Sequence, residues 1–240
     1  MTGLMTALVF LATSVIKIPT TNGYIHFGDG FIFLSVIVLG PFYGAFASGI
    51  GSMLADLLSP FAQWAIPTLI VKALMALIMG IVIRHKTKKQ TVISAGVTLV
   101  IWIGFFTFVK NALSHTLKHS VDNLSAALED SPENIVQLAS QIQWKLTAAI
   151  FAFFILVFAM IYWFTKKQKK TYLDPSMILG MMSAGSCMII GYYIAETILY
   201  GNAISPVFSI PMNLVQFVTG IVITILIAPA LLKVIPKEKL

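Results

Sequence analysis

The sequence predicts an all-α polytopic membrane protein. Hydrophobic residues make up 58% of the chain and charged residues only 10%, whereas an ordinary soluble domain has about 25% charged residues. Uncharged runs such as 92–109 and 146–164 reach the roughly 18–20 residues that a helix needs to cross a bilayer. Basic residues are concentrated at breaks between such runs. Together these three observations place most of the chain in lipid.

Polar, proline-rich and glycine-rich breaks divide the apolar sequence into eight predicted spans. Their approximate bounds are 2–18, 29–41, 43–59, 66–83, 92–113, 145–165, 176–200 and 211–233. The first run has neither a basic start nor a small-residue cleavage site, so we expect a retained helix. Residues 29–59 also admit a second interpretation, one long kinked helix. The segment "LGPFYG", with Pro41 between two glycines, favours a turn between two helices.

The basic breaks predict the orientation of the chain. Residues 84–89, 166–170 and 233–239 hold 11 of the 16 lysines and arginines. Because cytoplasmic loops of membrane proteins are enriched in these residues, we expect all three breaks and both termini on the cytoplasmic side. The linker at about 114–144 and the turn "GNAISPVFSIP" then lie outside. Since the net charge of +7 is concentrated at helix ends, we expect the lipid bilayer as a partner and no nucleic acid.

The outer linker has an amphipathic pattern. Apolar residues recur at helical spacing in "NLSAALEDSPENIVQLASQIQW", which predicts two short helices on the outer membrane surface. His115 and His119 lie four residues apart and would share one face of a helix. Such a pair alone is a weak motif for a metal or haem, so we expect exposed histidines without a ligand.

Motifs of catalysis and energy conversion are missing from the sequence. It contains no Walker A, GxSxG or HExxH pattern, and inverted repeats of the kind found in secondary carriers are not apparent. Cys187 is the single cysteine, which excludes a disulfide framework or a cysteine metal site. We therefore expect no catalytic residue, no metal and no cofactor. A binding subunit that takes its energy from partner proteins explains this set of absences.

Polar side chains gather near the predicted outer ends of the helices. Inside lipid each one costs about 2.5–3.5 kcal/mol or more unless it is paired or faces water. Their convergence therefore predicts a polar cavity open to the outside, beneath two bendable loops, "TNGYIHFGDGF" at 21–31 and "SPFAQWAIPT" at 59–68. The predicted ligand-binding residues are Asn22, Tyr24, His26, Asp29, Gln63, Trp64, Thr68, Lys72, Tyr192, Tyr193, Glu196, Asn213 and Gln216.

Several of these polar residues also have purely structural interpretations. Asp56 and Lys72 can form a structural ion pair, and Asp29 can cap its helix by accepting backbone N–H bonds. Trp64 can be an interfacial anchor of the kind that membrane helices commonly carry. For Glu196, Asn213 and Gln216 the structural alternatives are fewer, so a contact with ligand is the favoured interpretation.

Two parts of the chain resemble one family of membrane proteins. Residues 6–80, with "GYIHFGD", "LGPFYGAFASGIGSMLADLLS" and "PTLIVKALMALIMG", resemble the substrate-binding S component of an energy-coupling factor (ECF) transporter, and residues 191–223 resemble its C-terminal end. The resemblance implies a six-helix core that captures a vitamin or precursor and works with a transmembrane coupling protein and two ATPases. It also favours two helices in 29–59. It further implies that Gly3 and Ala7, small residues four apart, dock on the coupling protein through close backbone approach.

The chain departs from that family by an insertion. The expected division is 1–83 for the first four core helices, 84–175 for an inserted transmembrane hairpin that contains the linker, and 176–240 for the last two core helices. An even number of inserted spans leaves the later helices in their proper orientation.

The expected function is high-affinity capture of a small water-soluble vitamin or precursor at a prokaryotic plasma membrane. The loop motifs look most like members that handle vitamin B6-like or hydroxymethylpyrimidine-type compounds. Riboflavin, folate, cobalamin, a queuosine precursor and haem stay open within the same family. Tyrosine and tryptophan side chains suit a flat ring by stacking. A proton-coupled secondary carrier, which would transport alone, and a membrane enzyme, which would show turnover, are the alternatives from other classes.

Overall fold

The computed structural model describes residues 1–19, 23–84, 87–119, 131–141 and 175–234, together with positions 125, 144, 147, 148 and 151. Within these ranges the chain is mostly helical, and residues 132–141 are one of its helical segments. The main elements in chain order are α1 (Thr2–Val15), β1 (Lys17–Pro19), β2 (Tyr24–His26), α2 (Gly28–Leu57), a 3-10 helix (Ala62–Trp64), α3 (Ala65–Ile83), α4 (Lys88–His119), α5 (Pro175–Tyr200), a second 3-10 helix (Ser205–Ser209) and α6 (Ile210–Val234).

Five helical stretches in the described part of the chain are long and apolar enough to cross a membrane. They are Gly28–Leu57, Ala62–Ile83, Lys89–His115, Ser176–Tyr200 and Ser205–Lys233. The helix α1 is apolar but shorter. These elements confirm an all-α polytopic membrane protein. The predicted span at 145–165 lies largely outside the described residues, so the total of eight spans and the inserted hairpin stay predictions.

The helix α2 is a helical hairpin, not a straight rod. Gly40 has φ 76° and ψ −177°, a backbone conformation that is essentially restricted to glycine, and Pro41 follows it. The Ser35 and Ser48 hydroxyls lie 3.0 Å apart although 13 residues separate them, whereas a straight helix would place them about 20 Å apart. The two halves of α2 therefore run back along each other, and the predicted turn at "LGPFYG" is confirmed.

A small β-hairpin, which the sequence analysis did not predict, follows α1. The antiparallel register pairs Lys17 with His26 and Pro19 with Tyr24. The predicted first span was wrong at its end: α1 stops at Val15 because the next residues enter this sheet. The hairpin is the part of the "TNGYIHFGDGF" loop that fixes where Tyr24 and His26 lie.

The helix α2 lies at the centre of the bundle. It packs against α1, α3 and α6, while α3 packs on α5 and α4 packs on α5. At the crossing of α2 and α6 two glycines meet: a Cβ placed on Gly30 would lie 3.2 Å from the Gly220 carbonyl oxygen, and one on Gly220 would lie 2.8 Å from the Asp29 Cβ. This close crossing brings Asp29 beside Gln216 of α6, where the two side chains hydrogen-bond.

The described part of the outer linker is consistent with the amphipathic pattern. In segment 132–141, Ile135 and Ala139 are buried, whereas most of the remaining positions are exposed. The first predicted linker helix lies outside the described residues. His115 on α4 is exposed, and the side chain of His119 is not described, so the expectation for this pair stays a prediction.

Gly40→Ala should destabilise the folded protein by about 1–3 kcal/mol, because alanine is strained at this backbone conformation. The matched control is Gly96→Ala on α4, where an added Cβ meets no atom within 4 Å and the helix should gain about 0.5–1 kcal/mol. Thermal unfolding in detergent micelles measures both variants. Equal midpoints for the two would contradict the hairpin geometry at Gly40.

Candidate ligand-binding cavity

A small polar cavity lies at one end of the helix bundle. It has a volume of about 50 Å³ and is lined by Gly23, Tyr24, His26, Asp56, Trp64, Thr68, Tyr192, Glu196, Ser209, Asn213 and Gln216. The lining comes from β2, the C-terminal ends of α2 and α5, both 3-10 helices, the first turn of α3 and the first two turns of α6. Tyr24 and Trp64 line the same cavity, so the two polar loops do meet there.

The structure brings together most of the residues predicted to bind a ligand. Eight of the predicted residues line the cavity: Tyr24, His26, Trp64, Thr68, Tyr192, Glu196, Asn213 and Gln216. Asn22 lies outside the described residues. Gln63, on the short 3-10 helix, is exposed and is not part of the lining. Asp29 and Lys72 lie beneath the cavity, and Tyr193 lies on another face of α5.

Asp56 is a cavity residue that the sequence analysis treated only as an ion-pair partner. It is 3% exposed, and the Tyr24 hydroxyl donates a hydrogen bond to its Oδ1. Its Oδ2 is buried, and the Thr68 side chain is a further hydrogen-bond partner of the carboxylate. The sequence could have indicated this role, because Asp56 lies near the predicted outer end of a span, as the other predicted cavity residues do.

Tyr24 is held in its protonated form. Burial, followed by the neighbouring Asp56 carboxylate, raises the pKa of Tyr24 well above its ordinary value, so the phenol remains a donor. Lys17 lies on this tyrosine with its ammonium 4.6 Å from the ring centroid and donates to the Ala55 carbonyl oxygen at 3.1 Å. The ring of Phe61 packs on it with a centroid distance of 5.0 Å.

His26 is fixed as a neutral ring in one tautomer. Its Nδ1 accepts a hydrogen bond from the Gly28 N–H at 3.0 Å, so in the neutral ring the proton is on Nε2, which can donate. Burial, with a further contribution from Lys72, lowers the pKa of His26 from 6.5 to about 3. Its backbone N–H donates to Gln216 Oε1 at 3.0 Å, which ties β2 to α6.

An ion pair lies directly beneath the cavity. Lys72 Nζ is 2.5 Å from Asp29 Oδ1, and both side chains have 0% exposure. Gln216 Nε2 donates to the other oxygen, Asp29 Oδ2, at 3.0 Å. The alternative pairing of Lys72 with Asp56 is therefore wrong: among the described residues Lys72 forms its salt bridge with Asp29. The helix-cap interpretation of Asp29 is also wrong, because its carboxylate is engaged by these two side chains.

The last wall of the cavity comes from α5 and the second 3-10 helix. The Ser209 hydroxyl donates to Glu196 Oε1 at 3.0 Å, and Glu196 is 3% exposed. The Tyr192 hydroxyl donates to Thr68 Oγ1 at 3.3 Å. Ser209 was missed from the sequence because a serine in a loop carries no distinctive pattern.

Tyr193 does not share the cavity with Tyr192. Neighbouring residues of an α-helix point about 100° apart, so both rings cannot face the same side of α5. The Tyr193 ring packs edge-on against Phe105 of α4 with a centroid distance of 5.4 Å, and its hydroxyl donates to the Ala203 carbonyl oxygen at 2.6 Å. The prediction that Tyr193 lines the site was wrong for this reason.

The fold and the cavity define a polytopic membrane protein with a polar site at one end of its helix bundle. Residues 1–162 match the family described as "ECF-type riboflavin transporter, S component", which is more than half of the chain. The chain therefore belongs to this family of ECF transporter S components, and the resemblance noted in the sequence is confirmed.

Similarity to individual proteins is more limited. A protein of Pyrococcus woesei described as "Uncharacterized protein in gap 3'region" is 43% identical over 65 residues, which are 27% of this chain. The match spans 43% of the length of that curated relative. No solved structure matches the chain significantly.

Lys72→Met should lower the free energy of unfolding by about 3–5 kcal/mol, because it leaves the buried Asp29 charge uncompensated. The double variant Asp29→Asn with Lys72→Met should recover most of that loss, since no buried charge then remains. Chemical denaturation in micelles measures both. If the double variant has the same free energy of unfolding as Lys72→Met alone, the uncompensated Asp29 charge is not the cause of the loss.

Stability should fall as the pH drops below 6.5, because the unfolded chain protonates His26 near that pH whereas the folded pKa is about 3. The free energy of unfolding should decrease by about 1.4 kcal/mol per pH unit within this window, from this histidine alone. Thermal unfolding between pH 7 and 5 measures the effect. His26→Gln should flatten the dependence, whereas His115→Gln, at an exposed position, should not; an unchanged slope in the first variant contradicts the assignment.

Proposed function

We propose that this chain is the substrate-binding S component of an ATP-driven ECF importer and captures a small vitamin-type ring compound from outside a prokaryotic plasma membrane. The observation that carries the proposal is the cavity, where aromatic and hydrogen-bonding side chains converge at one end of the bundle in a member of this family. Ligand sites of this kind are concave, with a few placed polar groups among apolar and aromatic side chains.

The aromatic side chains suit a flat ring. Trp64 lies 5.9 Å from Tyr192 between ring centroids, with an angle of 63° between the planes. Tyr24 lines the cavity from the β-hairpin. Stacking or edge contacts with such rings contribute about 0.5–1.5 kcal/mol beyond the area they bury.

The polar side chains suit the hydroxyl and nitrogen groups of a vitamin. The His26 Nε2–H can donate, the Asp56 and Glu196 carboxylates can accept, and Asn213 and Gln216 can do both. Because Gln216 already bonds Asp29 and the His26 backbone, it would position a ligand relative to both.

The size of the cavity favours a single ring. A volume of about 50 Å³ holds only a few water molecules, so a single ring fits the site better than a larger compound does. We therefore favour a vitamin B6-like or hydroxymethylpyrimidine-type compound. Riboflavin is the second candidate, because it appears in the description of the matching family.

Partners would supply the energy for uptake. We propose a transmembrane coupling protein and two ATPases, with both termini of this chain in the cytoplasm. Gly3 and Ala7 are exposed on α1, and a Cβ on Gly3 would meet no atom within 4 Å. An open small-residue face of this kind lets another helix approach closely, which supports docking of the coupling protein there.

The isolated chain should bind its ligand, whereas uptake into proteoliposomes should require the coupling protein, the ATPases and ATP. Calorimetry with pyridoxine, hydroxymethylpyrimidine and riboflavin measures binding. Glu196→Gln and Asn213→Ala should weaken it at least several-fold, by about 1–3 kcal/mol, because each strands a buried polar partner. Gln63→Ala, at an exposed position outside the cavity, is the matched control.

Two results would refute these assignments separately. Uptake by the chain alone, driven by a proton gradient, would make it a secondary carrier. Unchanged affinity in both cavity variants would refute the binding site while leaving the family assignment intact.

A further inference from the structure

Lys17 lies beside the cavity, and the described lining does not include it. The residue belongs to β1, and its side chain is partly buried. Its ammonium donates a hydrogen bond to the Ala55 carbonyl oxygen at 3.1 Å and lies 4.6 Å from the centroid of the Tyr24 ring. One side chain therefore contacts both the end of α2 and a ring that lines the cavity.

The contact with Ala55 places a positive charge at the C-terminal end of a helix. Ala55 is buried in the last turn of α2, where the carbonyl groups have no partner further along the helix. The Leu54 carbonyl accepts the backbone N–H of Leu58, whereas the Ala55 carbonyl accepts the lysine ammonium. A cation is favourable at this end of a helix, because the helix dipole makes it partly negative. The position of the Lys17 ammonium is therefore set by α2.

Tyr24 is bound to the same end of α2 by two different contacts. Asp56 follows Ala55 in the chain, and its carboxylate accepts a hydrogen bond from the Tyr24 hydroxyl. The face of the Tyr24 ring contacts the Lys17 ammonium. The sheet adds a third connection, because Pro19, two residues after Lys17, pairs with Tyr24. The strands, the lysine and the end of α2 thus form one closed set of contacts around this ring.

The lysine contact restricts a part of Tyr24 that the hydroxyl contact does not. A hydrogen bond at the hydroxyl fixes one end of the side chain but not the orientation of its ring about that end. A cation within about 6 Å of the centroid is attracted to the face of the ring, so the ammonium favours one orientation. The Phe61 ring packs on Tyr24 as well, with a centroid distance of 5.0 Å. Lys17 therefore acts on the cavity through the orientation of Tyr24.

We propose that Lys17 is a positioning residue of the site: it holds the β-hairpin to the end of α2 and keeps Tyr24 against the cavity. The rates at which a ligand enters and leaves then depend on a residue that the ligand does not touch. The effect on these rates rests on the proposed function, whereas the effect on the hairpin applies to the empty chain as well. A lysine that only stabilises the fold would change the unfolding midpoint and not the rates.

Lys17→Met removes the ammonium and keeps the apolar part of the side chain. Stopped-flow measurements on the full chain in nanodiscs, with pyridoxine, hydroxymethylpyrimidine and riboflavin as probes, should show dissociation about five- to tenfold faster. Association should accelerate too, so that the affinity changes less than either rate. Lys17→Arg, which keeps the charge and a donor, should retain most of the original rates. Lys89→Met, at an exposed position on α4, is the control with the same loss of charge.

A second substitution tests whether the lysine acts through Tyr24. In a Tyr24→Leu background, Lys17→Met should change the dissociation rate by less than about twofold, because the ring that the ammonium contacts is absent. The same acceleration with and without the ring would show that Lys17 acts by another route, which contradicts the proposed role.

Hydrogen–deuterium exchange tests the inference on the empty chain. The backbone amides of β2 should exchange about five- to tenfold faster in Lys17→Met than in the unaltered protein or in Lys89→Met. Thermal unfolding shows whether each variant folds, and Lys17→Gln, which keeps a donor without the charge, replaces Lys17→Met if that variant does not fold. Unchanged exchange, or unchanged ligand rates in a variant whose exchange rises, would overturn the positioning role and leave the proposed function standing. If exchange rises and none of the three probes binds, the proposed ligand class fails, while Lys17 keeps its role in holding the hairpin.

Discussion

The buried ion pair between Asp29 and Lys72 organises the structure around the cavity. Two charges with no exposed surface are tolerated in the interior of a membrane protein only when they are paired and hydrogen-bonded. This pair joins the first turn of α2 to α3, and Gln216 adds α6 through its bond to Asp29. The same glutamine accepts the backbone N–H of His26. This hydrogen-bonded cluster thus joins four elements, α2, α3, α6 and β2. The cavity lies next to it.

The floor and the cover of the cavity differ in how firmly they are held. The floor combines a charge pair with a close crossing of α2 and α6 at Gly30 and Gly220. The cover consists of Tyr24, which lies on a three-residue strand paired with β1 and hydrogen-bonds to Asp56, and Trp64, whose ring packs against Tyr192. A typical hydrogen bond contributes only about 1 kcal/mol net. We therefore expect an entering ligand to displace the cover and not the floor.

Hydropathy and spacing predicted the helices well. A chain in lipid has to satisfy its backbone hydrogen bonds internally, and an apolar run does so by forming a helix. The turn at Gly40 was also predictable, since glycine and proline mark backbone conformations that other residues avoid. The β-hairpin was not, because strands of three residues are too short to show an alternating pattern. Which carboxylate pairs with Lys72 was not predictable either. Both candidates lie near the same end of the bundle, and only the helix crossing decides between them.

Two adjacent tyrosines on α5 show how α4 packs beside the cavity without lining it. Tyr192 faces the cavity, whereas Tyr193, about 100° further around the helix, contacts Phe105 and Phe108 of α4. The helix α4 therefore packs on a side of α5 that does not face the cavity. The Tyr193 hydroxyl also bonds the Ala203 carbonyl oxygen, in the turn that leads to Ser209 and its contact with Glu196. The helix α4 thus contacts Tyr193, which bonds the turn leading to this wall, while none of the described lining residues belongs to α4.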